Sequence, residues 1–243
     1  MIRKLLQPIY GLYLWVLLLF CVVLTTLTLL LTPGLSRRRN VARHSARLLF
    51  RLAGIKVQTR GEPVDATRAC IVVSNHASYL DGIILTAFLP PNFSFLVKRE
   101  MRSVPIGGLL LRRLGTEFVE RFDFRRGAAD ARRIIRTAGT GQGLAAFPEG
   151  TFRPEPGLGH FYPGAFNAAV RAGLPVIPIT LLGSREILPA EQLLPVPGKL
   201  EIIVHPAISC VQNGGRSEMI RIRDAARASI LTALNEPDRK TRL

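Results

Sequence analysis

A histidine and an aspartate stand five positions apart in Ser74-Asn75-His76-Ala77-Ser78-Tyr79-Leu80-Asp81, directly after the apolar run Cys70-Ile71-Val72-Val73. A strand that ends on a histidine offers its imidazole to whatever cleft lies beyond it. Five residues of helix turn through roughly 500°, so the two side chains would miss each other by about 140° if both sat on one helix. They can meet if His76 lies in a loop and Asp81 opens the next helix. The carboxylate would then hold the proton of one ring nitrogen and leave the other nitrogen as a base for a hydroxyl. The same spacing also suits an aspartate that merely stabilises a helix N-terminus.

A second chemistry-bearing segment, Phe147-Pro148-Glu149-Gly150-Thr151, follows the apolar run Gly143-Leu144-Ala145-Ala146. Its turn supplies backbone N–H groups, a hydroxyl and a carboxylate at a strand end, a set that suits glycerol oxygens or phosphate. A plain Pro-Glu-Gly turn closing a strand is the alternative. Together with Asn75-His76 and Asp81 the segment resembles the signature of the glycerolipid acyltransferase family, which includes the 1-acylglycerol-3-phosphate acyltransferases and carries an H-x4-D motif. Two further blocks agree in order. Gly115-Thr116-Glu117-Phe118-Val119-Glu120-Arg121 is similar to the family's second motif, and Pro175-Val176-Ile177-Pro178-Ile179 to its fourth. Lys98-Arg99-Glu100-Met101, with Pro105 and Gly107 after it, resembles the connection between the first two motifs, so the likeness runs from about Ala69 to Ile179.

The resemblance implies roles. His76 is the candidate base and Asp81 its orienter. Lys98 and Arg121 are the candidates for an acceptor phosphate, and Glu149, Gly150 and Thr151 complete the substrate-binding set. Solvated surface pairing is the competing reading for both cations, given Glu120 and Asp123 beside Arg121. The chain departs from the family pattern where Phe152 follows Thr151 and the guanidinium arrives only at Arg153, and again at Phe161-Tyr162-Pro163-Gly164, which lacks the usual lysine. Both departures leave the acceptor head group open. No metal or bound cofactor is implied, only acyl-CoA or acyl-carrier protein as co-substrate.

The elements that must position these groups begin with an anchor. From Ile9 to Thr32, between Pro8 and Pro33, there is no charged residue, and as a helix the stretch would measure roughly 36 Å, enough to cross a bilayer. Arg37, Arg38, Arg39, Arg43, Arg47 and Arg51 follow it, against Arg3 and Lys4 before, which places the remainder in the cytosol if the helix spans. Residues 36–53 form a basic, partly amphipathic helix suited to an anionic headgroup layer. Monotopic insertion of the two helices, as in some family members, is the alternative to spanning.

Among 243 residues, 33 Lys and Arg oppose 17 Asp and Glu for a net charge of +16. The excess favours polyanionic partners such as phospholipid, coenzyme A or acidic carrier protein. No frame for nucleic-acid binding accompanies it. Three scattered cysteines indicate neither a disulfide framework nor a metal site.

Apolar runs at 69–73, 93–97, 116–119, 143–147, 175–182 and 200–204 alternate with helical patterns. They predict an α/β fold, a mixed or largely parallel sheet flanked by helices, which the resemblance makes glycerol-3-phosphate acyltransferase-like. Residues 1–53 form the anchoring helices and 54–243 the acyltransferase domain. Amphipathic helices are expected over 125–138 and Ser217–Leu234, with Pro178 marking an edge or bulge and the tail from Glu236 fraying. Because the polar motifs follow strands at their carboxyl ends, topology would bring them together.

The combined expectation is a membrane-anchored enzyme, on the cytosolic side of the inner membrane, that acylates 1-acylglycerol-3-phosphate to phosphatidic acid. Alternatives are another acceptor, such as glycerol-3-phosphate, a different lysophospholipid or a lyso-aminolipid, and a non-catalytic basic protein tethered to the membrane.

Overall fold

A computed structural model describes residues 2–119 and 141–239. Arg121 and the basic helix expected over 125–138 lie outside the described residues. Two helices come first, α1 (Ile2–Leu31) and α2 (Leu35–Leu52), then β1 (Lys56–Arg60), β2 (Ile71–Ser74) and α3 (Asp81–Phe88). Next are β3 (Phe93–Lys98), a 3-10 turn over Arg99–Ser103, α4 (Gly107–Arg113) and β4 (Glu117–Val119). β5 (Gly143–Ala146), α5 (Gly164–Ala172), β6 (Val176–Leu182), a single helical turn at Ser184–Ile187, β7 (Lys199–Val204) and α6 (Gly215–Ala233) complete the order.

The strands form one seven-stranded sheet in the order β1-β7-β6-β2-β5-β3-β4. All neighbours are parallel except β6 and β7, so the sheet is mixed and largely parallel, within what the alternating runs predict. β2 and β5 are buried on both faces, which is why they read as unbroken apolar runs. Ile71 and Val73 face the layer made by α5 and α6, while Cys70 and Val72 face α2 and α3, the two-residue period of a strand dividing the core into two halves. β1 had no counterpart among the predicted strands. Its residues Lys56-Val57-Gln58-Thr59-Arg60 are all exposed on a sheet edge, where apolar content is not demanded and charge discourages further pairing.

Pro178 lies at a bulge rather than an edge. Ile179 pairs with Val204 and Val176 with Ile208, so a four-residue step on one side faces a three-residue step on the other. The ring, which has no N–H to give, sits where the ladder is already interrupted.

α1 has a stretch, Gln7–Leu31, long and apolar enough to cross a membrane. It runs through Pro8 instead of starting after it. Proline is tolerated so near the end because few turns precede it. Along its length α1 lies against α2 and, at Leu193, against the domain. Tyr10 Oη donates to Ala53 O at 2.9 Å, Trp15 Nε1 to Leu193 O at 2.5 Å, and Thr25 Oγ1 meets Ser45 Oγ at 2.5 Å. The opposite face, Leu12, Val16, Leu19, Phe20, Leu24 and Leu27, is exposed.

The arginines of α2 correct an expectation. Arg39, Arg43 and Arg47 turn onto the domain rather than outward to headgroups. Arg39 Nε donates to Leu114 O and its Nη1 to Gln142 Oε1, both at 3.0 Å, with burial pulling its pKa down to about 10. Arg43 Nη2 and Arg47 Nε donate to Phe88 O and Ala87 O, the free carbonyls at the end of α3, where cations oppose the helix dipole favourably. Arg37 and Arg51 are exposed without such anchoring bonds among the described residues, and Arg47 is exposed although its Nε is tied to Ala87 O.

Candidate active site

The carboxyl edge of the sheet carries the site, beginning where β2 ends. Asn75 fixes that end laterally, its Nδ2 donating to Leu181 O at 2.9 Å and its Oδ1 accepting from Leu181 N at 2.8 Å. The next residue, His76, is thereby held in the loop and Asp81 opens α3, the placement that the five-residue spacing required. Asp81 Oδ2 accepts from His76 Nδ1 at 2.8 Å, from Ala77 N at 2.6 Å and from Ser78 N at 2.8 Å. The carboxylate thus shapes the loop and orients the ring with one oxygen. Because Asp81 Oδ2 already accepts from two backbone N–H groups, Nδ1 is the donor of the third bond and Nε2 is the basic nitrogen. Among the described residues Nε2 has no hydrogen-bond partner, and the His76 side chain is 17% exposed. Ser78 is structural, its Oγ donating to Leu188 O at 2.8 Å and accepting from Leu80 N.

Two aromatic rings fix the imidazole from other directions. Phe147, at the end of β5, stacks on it with centroids 4.3 Å apart, and Phe152 meets it edge-on at 4.8 Å. Tyr79 packs edge-on against Phe152 at 4.6 Å. These rings escaped the sequence reading. In the sequence Phe147 is only one letter of a motif, and Phe152 only an interruption of it.

Glu149 joins the second segment to the first. Its Oε1 accepts from His76 N at 2.7 Å and its Oε2 from Gly159 N at 2.6 Å. Burial pushes the carboxyl up to about 7, although both N–H groups favour the charged form. The expectation that Glu149 grips substrate meets a different geometry here, because both its oxygens hold protein backbone. Gly150 adopts φ +81° in the turn, a conformation suited to glycine, and its N–H bonds Phe147 O at 3.0 Å. Thr151 is exposed, with only a long 3.5 Å contact from its hydroxyl to Phe152 O.

Lys98 ends β3 at the same edge. β2 and β3 both border β5, so about 10 Å separates their backbones at a strand spacing of about 4.8 Å. Its Nζ lies 3.2 Å from Glu100 Oε1 and nearly half of the side chain is exposed, a weak surface pair that an anion could replace. Arg121 lies outside the described residues. The structure therefore brings His76, Asp81 and Glu149 into direct contact, sets Gly150 and Thr151 in the adjoining turn and leaves Lys98 farther along the edge.

A family model described as Acyltransferase matches residues 56–182. A chloroplastic 1-acyl-sn-glycerol-3-phosphate acyltransferase, BAT2 of Brassica napus, is 32% identical over 168 residues, covering 68% of this chain and 46% of the relative. The lyso-ornithine lipid O-acyltransferase of Pseudomonas aeruginosa is 33% identical over 137 residues, covering 55% of this chain and 50% of the relative. The chain thus spans about half the length of these curated relatives. The crystal structure of the 1-acyl-sn-glycerophosphate acyltransferase PlsC from Thermotoga maritima superposes with a TM-score of 0.79 at 22% identity, over 96% of each chain, and shows the same fold. The family match covers just over half of the 243 residues and takes in every strand from β1 to β6, and with them His76, Asp81 and Glu149: the chain belongs to the Acyltransferase family.

Proposed function

We propose that this chain is an acyltransferase that moves a fatty acyl group from acyl-CoA or acyl-carrier protein to the free hydroxyl of 1-acylglycerol-3-phosphate, giving phosphatidic acid. The observation that carries the reading is the His76 imidazole, clamped at Nδ1 by Asp81 and open at Nε2. Nε2 takes the proton of the acceptor hydroxyl as its oxygen attacks the thioester carbonyl. The tetrahedral intermediate then expels the thiolate, which receives the proton back from the imidazolium. Asp81 stabilises the imidazolium that forms between these steps. A positioned base supplies about 10²–10⁴-fold of the rate. Because a thiolate leaves readily, no covalent acyl-enzyme is required, and the reaction needs only the thioester co-substrate. Lys98 and Arg121 are assigned to the acceptor phosphate, with the Gly150-Thr151 turn beside them.

The lipid acceptor is met at a membrane surface. α1 is held along α2 near both ends and meets the domain through Trp15, so its exposed apolar strip enters one leaflet in plane rather than spanning. The net charge of +16 adds attraction to an anionic cytosolic leaflet of the inner membrane, where thioester donors are supplied.

A second reading changes only the acceptor. Phe152 places an aromatic ring against His76 at a position where the resemblance leads one to expect a cation, and a relative carries a lyso-ornithine lipid name. Mass spectrometry of products from the detergent-solubilised protein, given acyl-CoA or acyl-carrier protein and mixed lyso-lipids, tests both readings. Phosphatidic acid as the main product supports the first, and acylated aminolipid the second. Absence of any thioester turnover would support the non-catalytic alternative.

A further inference from the structure

The family match ends at Leu182, yet the loop that supplies Glu149 with its second partner is held by residues beyond that point. Arg227, on α6 and only 4% exposed, donates Nη2 to Leu158 O at 2.8 Å and Nη1 to Gly159 O at 2.6 Å, and pairs with Asp238. Its guanidinium lies over the Phe161 ring, 5.3 Å from the centroid. The tail closes on the same loop. Leu158 N donates to Pro237 O at 2.9 Å, Arg239 N to Leu158 O at 3.0 Å, and Gly157 N to Glu236 Oε2 at 2.7 Å. Glu236 also binds Arg185, whose Nη1 reaches Arg153 O and Pro154 O. The tail through Arg239 is therefore docked, not frayed as its polarity suggests, because its backbone bonds the loop and the Glu236 and Asp238 side chains pair with Gly157 N, Arg185 and Arg227.

The Leu158 carbonyl and the Gly159 N–H belong to one planar trans peptide and point in opposite directions. When Arg227 and Arg239 N fix the carbonyl, the N–H is aimed by covalent geometry, and it aims at Glu149 Oε2. A carbonyl bonded to a guanidinium also polarises its peptide, strengthening that N–H as a donor. Glu149 passes the constraint to the His76 backbone through its other oxygen. The peptide has no room to spare, since a Cβ on Gly159 would lie 2.8 Å from Glu149 Oε2. A buried arginine is costly to solvate internally, so its placement on two loop carbonyls is explained by what it holds in place.

We propose that Arg227 and the tail Glu236–Arg239 form a positioning device for the catalytic histidine, acting through the Leu158–Gly159 peptide and Glu149. The proposal rests on the reading of His76 as the base. Three variants test it: truncation after Asn235, Arg227→Lys, which keeps charge but cannot span both carbonyls, and the gentler pair Glu236→Gln with Asp238→Asn. Displacement of a catalytic group by about 1 Å can cost roughly 100-fold, so kcat is expected to fall by at least about tenfold in the first two variants, with KM for donor and acceptor changed less than about threefold. Glu149 binds the His76 N–H most strongly as a carboxylate, so its ionisation contributes to the acid limb of the kcat–pH profile; loss of the Gly159 N–H makes it harder to ionise, and the limb is expected to move to higher pH. A merely structural weakening would lower the active fraction and leave the limb in place. Unchanged kcat in folded variants, a change confined to KM, or a lower kcat with an unmoved limb would each overturn the proposal. If the unaltered protein turns over no thioester, it is the functional reading that fails. The device is then judged by NMR of protein labelled at its four histidines: the variants must shift the His76 amide and ring nitrogen resonances, and unshifted resonances refute it.

Discussion

Replacing Asp81 by Asn removes a charge while leaving the shape of the site almost unchanged. The amide oxygen can occupy the place of Oδ2 and still accept from His76 Nδ1, Ala77 N and Ser78 N. The NH2 group then falls where Oδ1 now lies, buried and without a hydrogen-bond partner among the described residues, so no existing bond is displaced. What is lost is the attraction between the carboxylate and the imidazolium that forms as the acceptor proton is taken. With an N···O distance of 2.8 Å the charge centres lie about 4 Å apart, which at an effective dielectric of about 20 is worth about 4 kcal/mol. At about 1.4 kcal/mol per factor of ten, kcat should fall roughly a thousandfold. KM for either substrate should change little, since Asp81 faces the histidine rather than the cleft. The assay is steady-state thiol release from acyl-CoA with saturating lyso-lipid, accompanied by a thermal melt to establish folding. His76→Ala should be nearly as slow alone as when combined with Asp81→Asn, because groups acting as a unit are not additive. A folded Asp81→Asn protein that keeps kcat within about threefold would refute the assignment of Asp81 to the base.

Glu149 gives a stability prediction whose sign follows from its raised pKa. Its carboxyl titrates near 7 in the folded chain against an ordinary value of 4.5, so between those values the folded state binds more protons and stability falls as pH rises. The span of about 2.5 pH units corresponds to about 3 kcal/mol, present in full below pH 4.5 and gone above pH 7. Denaturant titrations at pH 5 and 7.5 should show a steeper loss for the native chain than for Glu149→Gln, and parallel losses would contradict it. Gly159→Ala should push the Glu149 carboxylate off the His76 N–H and lower kcat by at least about tenfold, while far-ultraviolet circular dichroism stays unchanged. Leu19 and Phe20, each about 60% exposed on the outer strip of α1, should contribute together about 3 kcal/mol to insertion. Their replacement by serine should weaken vesicle co-sedimentation roughly a hundredfold, and undiminished binding would remove α1 as the anchor.

The strands that carry the site were readable because β2 and β5 are buried on both faces and must be continuously apolar. The His76–Asp81 contact was readable because a five-residue spacing admits few geometries other than loop followed by helix. Less was visible where contacts are long-range. Nothing in the types of Phe147 and Phe152 told that both rings would pack on one imidazole, and Glu149 offered no local sign that its oxygens would bind two backbone N–H groups 73 and 10 positions away. The arginines of α2 misled for a related reason. Their helical spacing suggested a lipid-facing charge strip, whereas α3 presents its unpaired terminal carbonyls to Arg43 and Arg47. Similarly, the polarity of Glu236 to Arg239 suggests solvation, though a polar segment docks well when a loop presents enough backbone groups.

The most direct test of the central claim is the rate at which the purified protein, and its His76→Ala variant, convert lysophosphatidic acid and acyl-CoA to phosphatidic acid, measured by product mass spectrometry under saturating conditions. Removal of the base should lower that rate by about 10²–10⁴-fold in a protein that melts at an unchanged temperature. A folded His76→Ala protein that makes phosphatidic acid as fast as the native chain would contradict the mechanism.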